Sequence, residues 1–399
     1  MKVMLVAPGL HDYGVSLADS LAKRDLEVIL LTNERRATLR PTEEVRVIPL
    51  FRFLPTSVNR GWFRKLGIGK VINSGLVIVG IVRLAVLCKR ERPDLVHLHG
   101  ILRVEPFALA GLLTLRLSRQ VVVFTPHILG PRHRMPGAGL AWRLILKLTS
   151  HIIVHSDKAA DTIVDKYRIG RGNLTVIPHG DYRVLVTSNP PVPRATARAR
   201  VQLPPLAAVV LFLGRIEAYK GLDLLISAMP RVAKSVPNAL LVIAGRTSGD
   251  FATYASQIGT LGISSRVTTR LGWVSESALA DYLGACDVVA IPYRDLPEVD
   301  QSGIVQLASS YGRPVVATRV GGIPEQVIPG ETGLLVPAGD ESALVEAIVE
   351  LLLNTEVRDK MAKRASSIGQ ERFSWSDIAA KTEGVYRIAL ENASTGQPV

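Results

Sequence analysis

Short, unbroken runs of aliphatic residues alternate with stretches in which apolar positions recur every three or four residues, and this rhythm continues along almost the whole chain. In the first half the short runs fall at 2–7, 27–32, 95–99, 121–125, 152–155 and 174–177. Runs of that length fit strands buried on both faces. Helical periodicity occupies 15–23, 106–117, 140–148 and 157–167. A second series begins at 209, with strands at 209–213, 240–244, 267–271, 288–292 and 314–318 and helices at 222–234, 276–285 and 304–311. Amphipathic helices at 344–353, 356–372 and 375–390 close it. Such alternation predicts an α/β protein with two parallel, doubly wound, Rossmann-like sheets. Between the series, TSNPPVPRATARARVQLPP at 187–205 has five prolines and no long apolar run, which predicts a connection. The expected organisation is a first domain at 1–186, a proline-rich linker at 187–205, a second domain at 206–373, and a last segment, 374–399, whose helix crosses back to the first domain. Ligands are expected in a cleft across which the two domains face each other.

The bulk numbers fit this reading. A chain of 399 residues, 47% hydrophobic and 21% charged, exceeds one ordinary core and excludes a disordered or collagen-like protein. Cys88 and Cys286 lie far apart in apolar, helix-like segments, so buried thiols of a reduced compartment are expected, with no disulfide framework and no metal site. The opening MKVMLVAPG leads straight into strand-turn-helix chemistry and is read as a first strand, not a signal peptide, which predicts a cytoplasmic protein.

Charge changes the picture. The net charge is +13, but residues 1–190 carry 28 Lys and Arg against 14 Asp and Glu, leaving 20 against 21 for the rest. Between Glu44 and Glu91 there are nine basic residues, from Arg46 to Arg90, and no acidic one; Phe51, Phe53, Trp62 and Phe63 are interleaved. A cationic, aromatic-studded surface suits an anionic leaflet, where each basic residue contributes about 1 kcal/mol. A generally basic surface or a nucleic-acid footprint gives the same charge, but no nucleic-acid recognition motif accompanies it. In the apolar stretch 71–88 the longest charge-free run ends at Val82, short of the ~20 residues that a span needs. The expected association is therefore peripheral, on the inner face of the cell membrane.

The most informative segment is GRIEAYKG at 214–221. An apolar strand runs into a glycine turn holding Arg215 and Lys220, at a place where strand carboxyl ends line a ligand crevice. Arg grips a diphosphate bidentately and Lys neutralises it as a point charge. Taken alone, the segment could equally be a surface loop with two solvated cations. In QSG at 301–303, the glycine opens a helix whose backbone N–H groups can face an anion, or Ser302 simply caps that helix.

Together these segments resemble the retaining glycosyltransferases of the GT-B fold that use nucleotide-activated sugars. GRIEAYKGLDLL, VIAG, LGWVSESALADYLGACDVVAIPY, GRPVVATRVGGIPE and GETGLLVP carry the resemblance, joined in the first half by DLVHLHG, VVFTPH and VIPHG. It implies that Gly214, Arg215 and Lys220 hold the donor diphosphate and that Gln301, Ser302, Gly303 and Ile304 meet its phosphate and sugar. It further implies that Val274, beside Gly272 and Trp273, borders the base and that Glu325 faces the donor. His127 of TPH would lie near the reacting sugar. The loop GLHDYG at 9–14, with Tyr13 and Gly14, would approach the acceptor or a phosphate, although it is not a GxGxxG fingerprint and could be a plain strand-helix turn. Most relatives carry two glutamates eight positions apart around the QSG turn. Counting back from Gly312, those registers fall on Val299 and Leu307, and neither is acidic; Glu298 and Asp300 are the candidates for the sugar hydroxyls.

The chain has no Asp-x-Asp pair, so transfer without a metal ion or any other cofactor is expected, with Arg215 and Lys220 supplying the charge. His97 and His99 point to one face of their strand, and no third ligand follows to make a metal site. The implied partners are a nucleotide-sugar donor, a lipid-linked or glycan acceptor and an anionic membrane surface. Two rivals share the architecture: a sugar-nucleotide epimerase, which would need cleft carboxylates for proton transfer, and a non-catalytic homologue that binds the nucleotide sugar. A nicotinamide oxidoreductase is disfavoured by the missing fingerprint.

Overall fold

The computed structural model describes residues 1–8, 11–33, 41–51, 68–100, 105–131, 137–296 and 299–395. The chain forms two compact units, Met1–Pro178 with Trp375–Val399, and His179–Ser374.

In the first unit seven strands make one parallel sheet: β1 (Lys2–Val6), β2 (Glu27–Asn33), β3 (Arg46–Phe51), β4 (Leu95–His99), β5 (Val121–Thr125), β6 (His151–Val154) and β7 (Leu174–Val176). Their spatial order is β3-β2-β1-β4-β5-β6-β7. Among the described residues the helices that alternate with them are α1 (His11–Ala22), α2 (Ile68–Glu91), α3 (Glu105–Leu117), α4 (Ala138–Leu148) and α5 (Asp157–Tyr167). The central strands are aliphatic on both faces because helices cover both; Met4, Val96, Val122 and Phe124 are fully buried, and Trp142 of α4 meets Phe124 edge-on at 6.1 Å. Helix α5 starts and stops for local reasons. In α5, Ser156 accepts the Ala159 N–H at 3.0 Å, and Arg168 turns left-handed at φ 55° to close the last turn.

The sequence pattern misses β3, because Pro49 interrupts RVIPLF. Proline is tolerated there because β3 is an edge strand, where a missing N–H costs little. Arg83 of α2 donates to the Pro49 and Leu50 carbonyls (3.2 and 3.4 Å) and ties the helix to that edge. Among the described residues no helix is long and apolar enough to cross a membrane.

The second unit carries a six-stranded parallel sheet of β8 (Ala208–Leu213), β9 (Ala239–Gly245), β10 (Val267–Leu271), β11 (Val288–Ile291), β12 (Val315–Thr318) and β13 (Gly333–Val336), ordered β10-β9-β8-β11-β12-β13. Its helices are α6 (Arg183–Ser188), α7 (Arg194–Arg200), α8 (Leu222–Ser235), α9 (Ala252–Thr260), α10 (Glu276–Ala285), α11 (Gly303–Ser310), α12 (Ile323–Gln326), α13 (Glu341–Leu353) and α14 (Thr355–Arg372). The last helix, α15 (Trp375–Thr395), belongs to the first unit, where it packs on α1. There Glu383 receives Arg387 and Arg24 (2.6 and 2.7 Å), which hold its carboxyl below the usual range.

Residues 187–205 are not a connection. The boundary falls at Pro178/His179 instead of after 186, and the proline-rich stretch contains α7, folded into the second unit. Its prolines bracket the helix, and its charge turns inward. Arg198 is only 3% exposed and donates to the carbonyls of Ala285 (3.1 Å), Ala207 (2.6 Å) and Pro205. It also pairs at 3.0 Å with the buried Asp287, which Arg194 and Arg358 (3.5 Å) approach as well and which accepts the Val209 N–H at 2.8 Å. On α10, a Cβ at Gly284 would lie 3.0 Å from that of Ala197, so the two helices meet almost without side chains.

Candidate functional site

At the carboxyl end of β8 the chain turns at Gly214 (φ 104°), whose N–H goes to the Ala244 carbonyl at 2.9 Å. A Cβ there would come within 3.2 Å of the Ile304 side chain and 3.6 Å of the Lys220 ammonium nitrogen. The glycine therefore leaves room for both. Seven residues on, a 3₁₀ turn (Ala218–Lys220) ends at Gly221, which is left-handed at φ 67° and would drive a Cβ to 1.9 Å from the Pro292 carbonyl oxygen. Only glycine fits that approach. Arg294 braces the turn, donating to the carbonyls of Tyr219 (2.7 Å, backbone) and Ala218 (3.3 Å, side chain) and pairing with Asp223.

This framework buries a lysine. Lys220 is 8% exposed, and its ammonium lies 5.5 Å from the Tyr293 ring centre and 6.0 Å from that of Tyr219. Among the described residues no carboxylate lies within ion-pair distance of it. Burial pushes its pKa down, and burial also pushes both phenols up to about 12, so neither offers a counter-charge at neutral pH. Aromatic faces offset part of the desolvation cost, but a buried cation beside an open glycine is a strong anion receptor. Arg215 is the opposite case: its side chain is 51% exposed and held at 3.1 Å by Glu217, which also accepts from Ser248 at 3.2 Å.

The QSG turn arrives at the same place. Ile304 packs over Gly214, and the Ser302 hydroxyl, which makes no cap of α11, bonds to the Tyr293 hydroxyl at 3.1 Å. Tyr293 thus touches both Lys220 and Ser302. The Gln326 amide clamps the turn from the other side, accepting the Ser302 N–H at 2.7 Å and donating to the Ser302 carbonyl at 3.2 Å. Gln301 accepts the His179 N–H at 3.2 Å, and a Cβ at Gly303 would lie 2.9 Å from the Tyr182 hydroxyl. Asp300 is buried, its carbonyl accepting from the Gly322 N–H at 3.0 Å. In the first turn of α11 the Val305 N–H donates to the Ser302 carbonyl at 3.1 Å. Glu325 is half-buried on α12; Val274 is half-buried beside the exposed Trp273. Glu298 lies outside the described residues. Sequence reasoning missed Gln326, Tyr293 and Tyr182, for which no spacing rule gave a signal.

In the first unit the histidines gather. His97 is buried between Tyr386 of α15 (2.7 Å) and Thr125 (2.8 Å), and His99 sits beside it with ring centres 4.0 Å apart. His127 bridges His155 (3.2 Å) and His99 (3.4 Å). The Ile177 carbonyl, 2.9 Å from His155 Nδ1, can only accept, so the proton sits on that nitrogen. Neutral His155 then accepts from His127 Nδ1–H, which leaves His127 Nε2 as the acceptor facing His99. Tyr13 packs against this row at 4.9 Å from His127 and against Trp375 at 4.9 Å. Tyr13 and Gly14 do not form a loop. Both lie in the first turns of α1, and a Cβ at Gly14 would come 2.6 Å from that of Ala7, so this glycine serves helix-on-strand packing. Among the described residues no three His, Cys, Asp or Glu are placed to hold a metal ion.

Burial, with repulsion from His127 and His155, holds His97 down to about 3; burial against the raising pull of the Ile177 carbonyl holds His155 down to about 4. Both groups fold neutral and must charge on unfolding. Their contribution is fully present above the unfolded pKa near 6.5 and is lost as pH falls toward the folded values. Urea denaturation between pH 7 and pH 4 should show a loss on the order of 3 kcal/mol from His155 alone, and His155→Gln should flatten that slope. An unchanged slope would refute the assignment.

The chain matches two family models in tandem, Glycosyltransferase Family 4 over residues 9–180 and Glycosyl transferases group 1 over 193–367. D-inositol 3-phosphate glycosyltransferase of Corynebacterium diphtheriae is 28% identical over 95% of this chain and 90% of that protein. The protein of the same name from Stackebrandtia nassauensis is 31% identical over 60% of this chain and 54% of its own. Among solved structures, sucrose-phosphate synthase from Thermosynechococcus elongatus superposes with TM-score 0.73 at 22% identity, covering 97% of this chain and 98% of that one. Anabaena HepE in complex with UDP and glucose gives 0.71 at 21% identity, covering 97% and 100%. These structural likenesses establish the fold. With both sheets, both family models and the order of their motifs in agreement, the chain belongs to the glycosyltransferases of the GT-B fold.

Proposed function

We propose that this glycosyltransferase takes its sugar from a nucleoside diphosphate sugar held by the second unit and passes it, with retention and without a metal ion, to a phosphate-bearing acceptor. The observation that carries the reading is the buried Lys220 ammonium, lodged beside Gly214 with no carboxylate at ion-pair distance among the described residues, Glu217 acting on it only from farther off. In the reaction the bond from the anomeric carbon to the diphosphate oxygen breaks, and the departing diphosphate gains negative charge. Lys220 and Arg215 stabilise that charge where a metal ion would otherwise act. The acceptor hydroxyl oxygen bonds to the anomeric carbon on the face the diphosphate leaves, and its proton passes to a leaving phosphate oxygen.

In this reading the clamped Ser302 turn and the start of α11 receive the phosphate and sugar, and Asp300, Glu298 and Glu325 are the carboxylates we assign to the sugar hydroxyls. His127, its Nε2 an acceptor, lies near the reacting sugar. The excess of 28 basic over 14 acidic residues in 1–190 supports an anionic acceptor bound by the first unit. A lipid-linked sugar phosphate or glycan at the inner membrane face is the acceptor we favour. The name shared by the curated relatives supports a soluble inositol phosphate as the second reading.

Incubating the protein with UDP-, GDP-, ADP- and TDP-sugars in EDTA, with a lipid-linked sugar phosphate or with inositol phosphate, tests this. Transfer that persists in EDTA with retained configuration is expected. Strict dependence on Mg²⁺ or Mn²⁺ would remove the metal-free step, and conversion of donor alone would point to an epimerase.

A further inference from the structure

Helix α2 is apolar on the side where a surface helix should be polar. Val77, Ile81, Leu84 and Cys88 face the core, as expected, but Ile78, Val79, Val82 and Val86 are between 52% and 57% exposed. Ile78, Val82 and Val86 fall four apart and Val79 lies three before Val82, so these four make one stripe along the outer face. The neighbouring α3, which packs on α2, leaves Leu113 and Leu117 exposed as well. Single exposed aliphatics are ordinary, whereas an aligned stripe of β-branched residues is not.

Charge on the described side chains of α2, α3 and α4 is mostly positive. The described side chains of α2, α3 and α4 include Arg83, Lys89, Arg90, Arg116, Arg143 and Lys147. The acidic residue among them is Glu91, and it is already occupied by Lys2, Arg46 and Arg90 at 3.4, 3.0 and 3.5 Å. A second copy of the chain would bring the same cationic surroundings against its own, which opposes self-association. An apolar stripe set among basic residues matches the surface of a bilayer containing anionic lipid, where aliphatic groups enter the acyl boundary and cations stay at the headgroups.

We propose that the outer face of α2 docks this protein onto anionic membranes, through Ile78, Val79, Val82 and Val86 and the cations Lys89 and Arg90. The inference deepens the acceptor half of the function proposed above and rests on it for its purpose, but its test needs no transfer. Docking would set the first unit at the surface from which a lipid-linked acceptor is drawn.

Cosedimentation of the full-length protein with vesicles tests it. Binding is expected to vesicles of phosphatidylcholine containing phosphatidylglycerol, and much less to phosphatidylcholine alone. Val79→Glu with Val82→Glu should lower the partition coefficient about tenfold or more, since each change removes apolar burial and adds repulsion. Lys89→Ala with Arg90→Ala should lower it about tenfold at low salt, and less as salt screens the attraction. Thermal melting and nucleoside diphosphate binding, read on the same samples, should be unchanged and so exclude misfolding. Absence of sedimentation with anionic vesicles would overturn the proposal, as would variants that sediment like the parent. So would light scattering that shows a dimer lost on the valine substitutions without vesicle binding. Transfer to a soluble phosphate acceptor by a protein that ignores vesicles would refute the docking face and leave the transferase reading intact. Sedimentation without any transfer would do the reverse.

Discussion

Lys220→Met is expected to give a nucleotide-free protein that melts no lower than the parent, yet transfers sugar with kcat/KM lower by roughly 10²–10³-fold. The two effects have opposite signs for one reason. The Lys220 ammonium is 8% exposed, and burial lowers its pKa from 10.5, so the folded state pays to keep it charged at pH 7. A methionine of similar length keeps the contacts with Tyr219 and Tyr293 and removes that cost. The linkage runs accordingly. The parent loses stability relative to the variant below the lowered folded pKa, and the difference closes as pH rises toward 10.5. With a diphosphate bound the sign reverses, because its negative charge stabilises the ammonium. Arg215→Ala should lower transfer without the gain in stability, since that guanidinium is half in water and already tethered to Glu217. A residue kept at the expense of the fold marks a binding site.

Asp287→Ala should lower unfolding stability by about 3–5 kcal/mol, the range for removing one partner of a buried ion pair. The loss is large because Arg198, 3% exposed, would remain inside with carbonyl partners but no countercharge, and the Val209 N–H at the start of β8 would lose its acceptor. Against a total of about 5–15 kcal/mol for a domain, that approaches loss of the folded state at physiological temperature. Asp287→Asn should fall between the two, since its amide oxygen can still accept from Val209 while the charge is gone. Urea denaturation checks both, and a change below about 1 kcal/mol for the alanine variant would show that the cluster is better solvated than its burial implies.

The two sheets were legible because buried parallel strands are short apolar runs and the helices between them keep a 3.6-residue period. Strand β3 was not, since its proline is permitted only by an edge position that sequence does not announce. The stretch 187–205 misled for a related reason. Prolines that bracket a helix and prolines in a tether look alike until Arg198 is seen to meet Asp287, 89 residues away.

In the site, Arg215, Lys220 and the QSG turn were legible as a motif only together with the other segments, since two cations at a strand end could equally sit on a solvated loop. That Lys220 is buried and Arg215 exposed was not, because the difference depends on Tyr219 and Tyr293 closing over one cation. Gln326 escaped notice because its amide acts on a backbone group 24 residues away, a contact with no spacing rule. The histidine row was legible only in part. His97 and His99 share a strand face, but the link through His127 to His155 crosses three strands and is set by their register.

The central claim is that the Lys220 cation receives the diphosphate of the donor. Calorimetric titration of UDP and GDP into the parent and into Lys220→Met, in EDTA and at equal ionic strength, tests it most directly. The account predicts that whichever nucleotide the parent prefers binds the variant at least tenfold more weakly, although the variant is the equally or more stable protein before nucleotide is added. Equal affinity for parent and variant would contradict it.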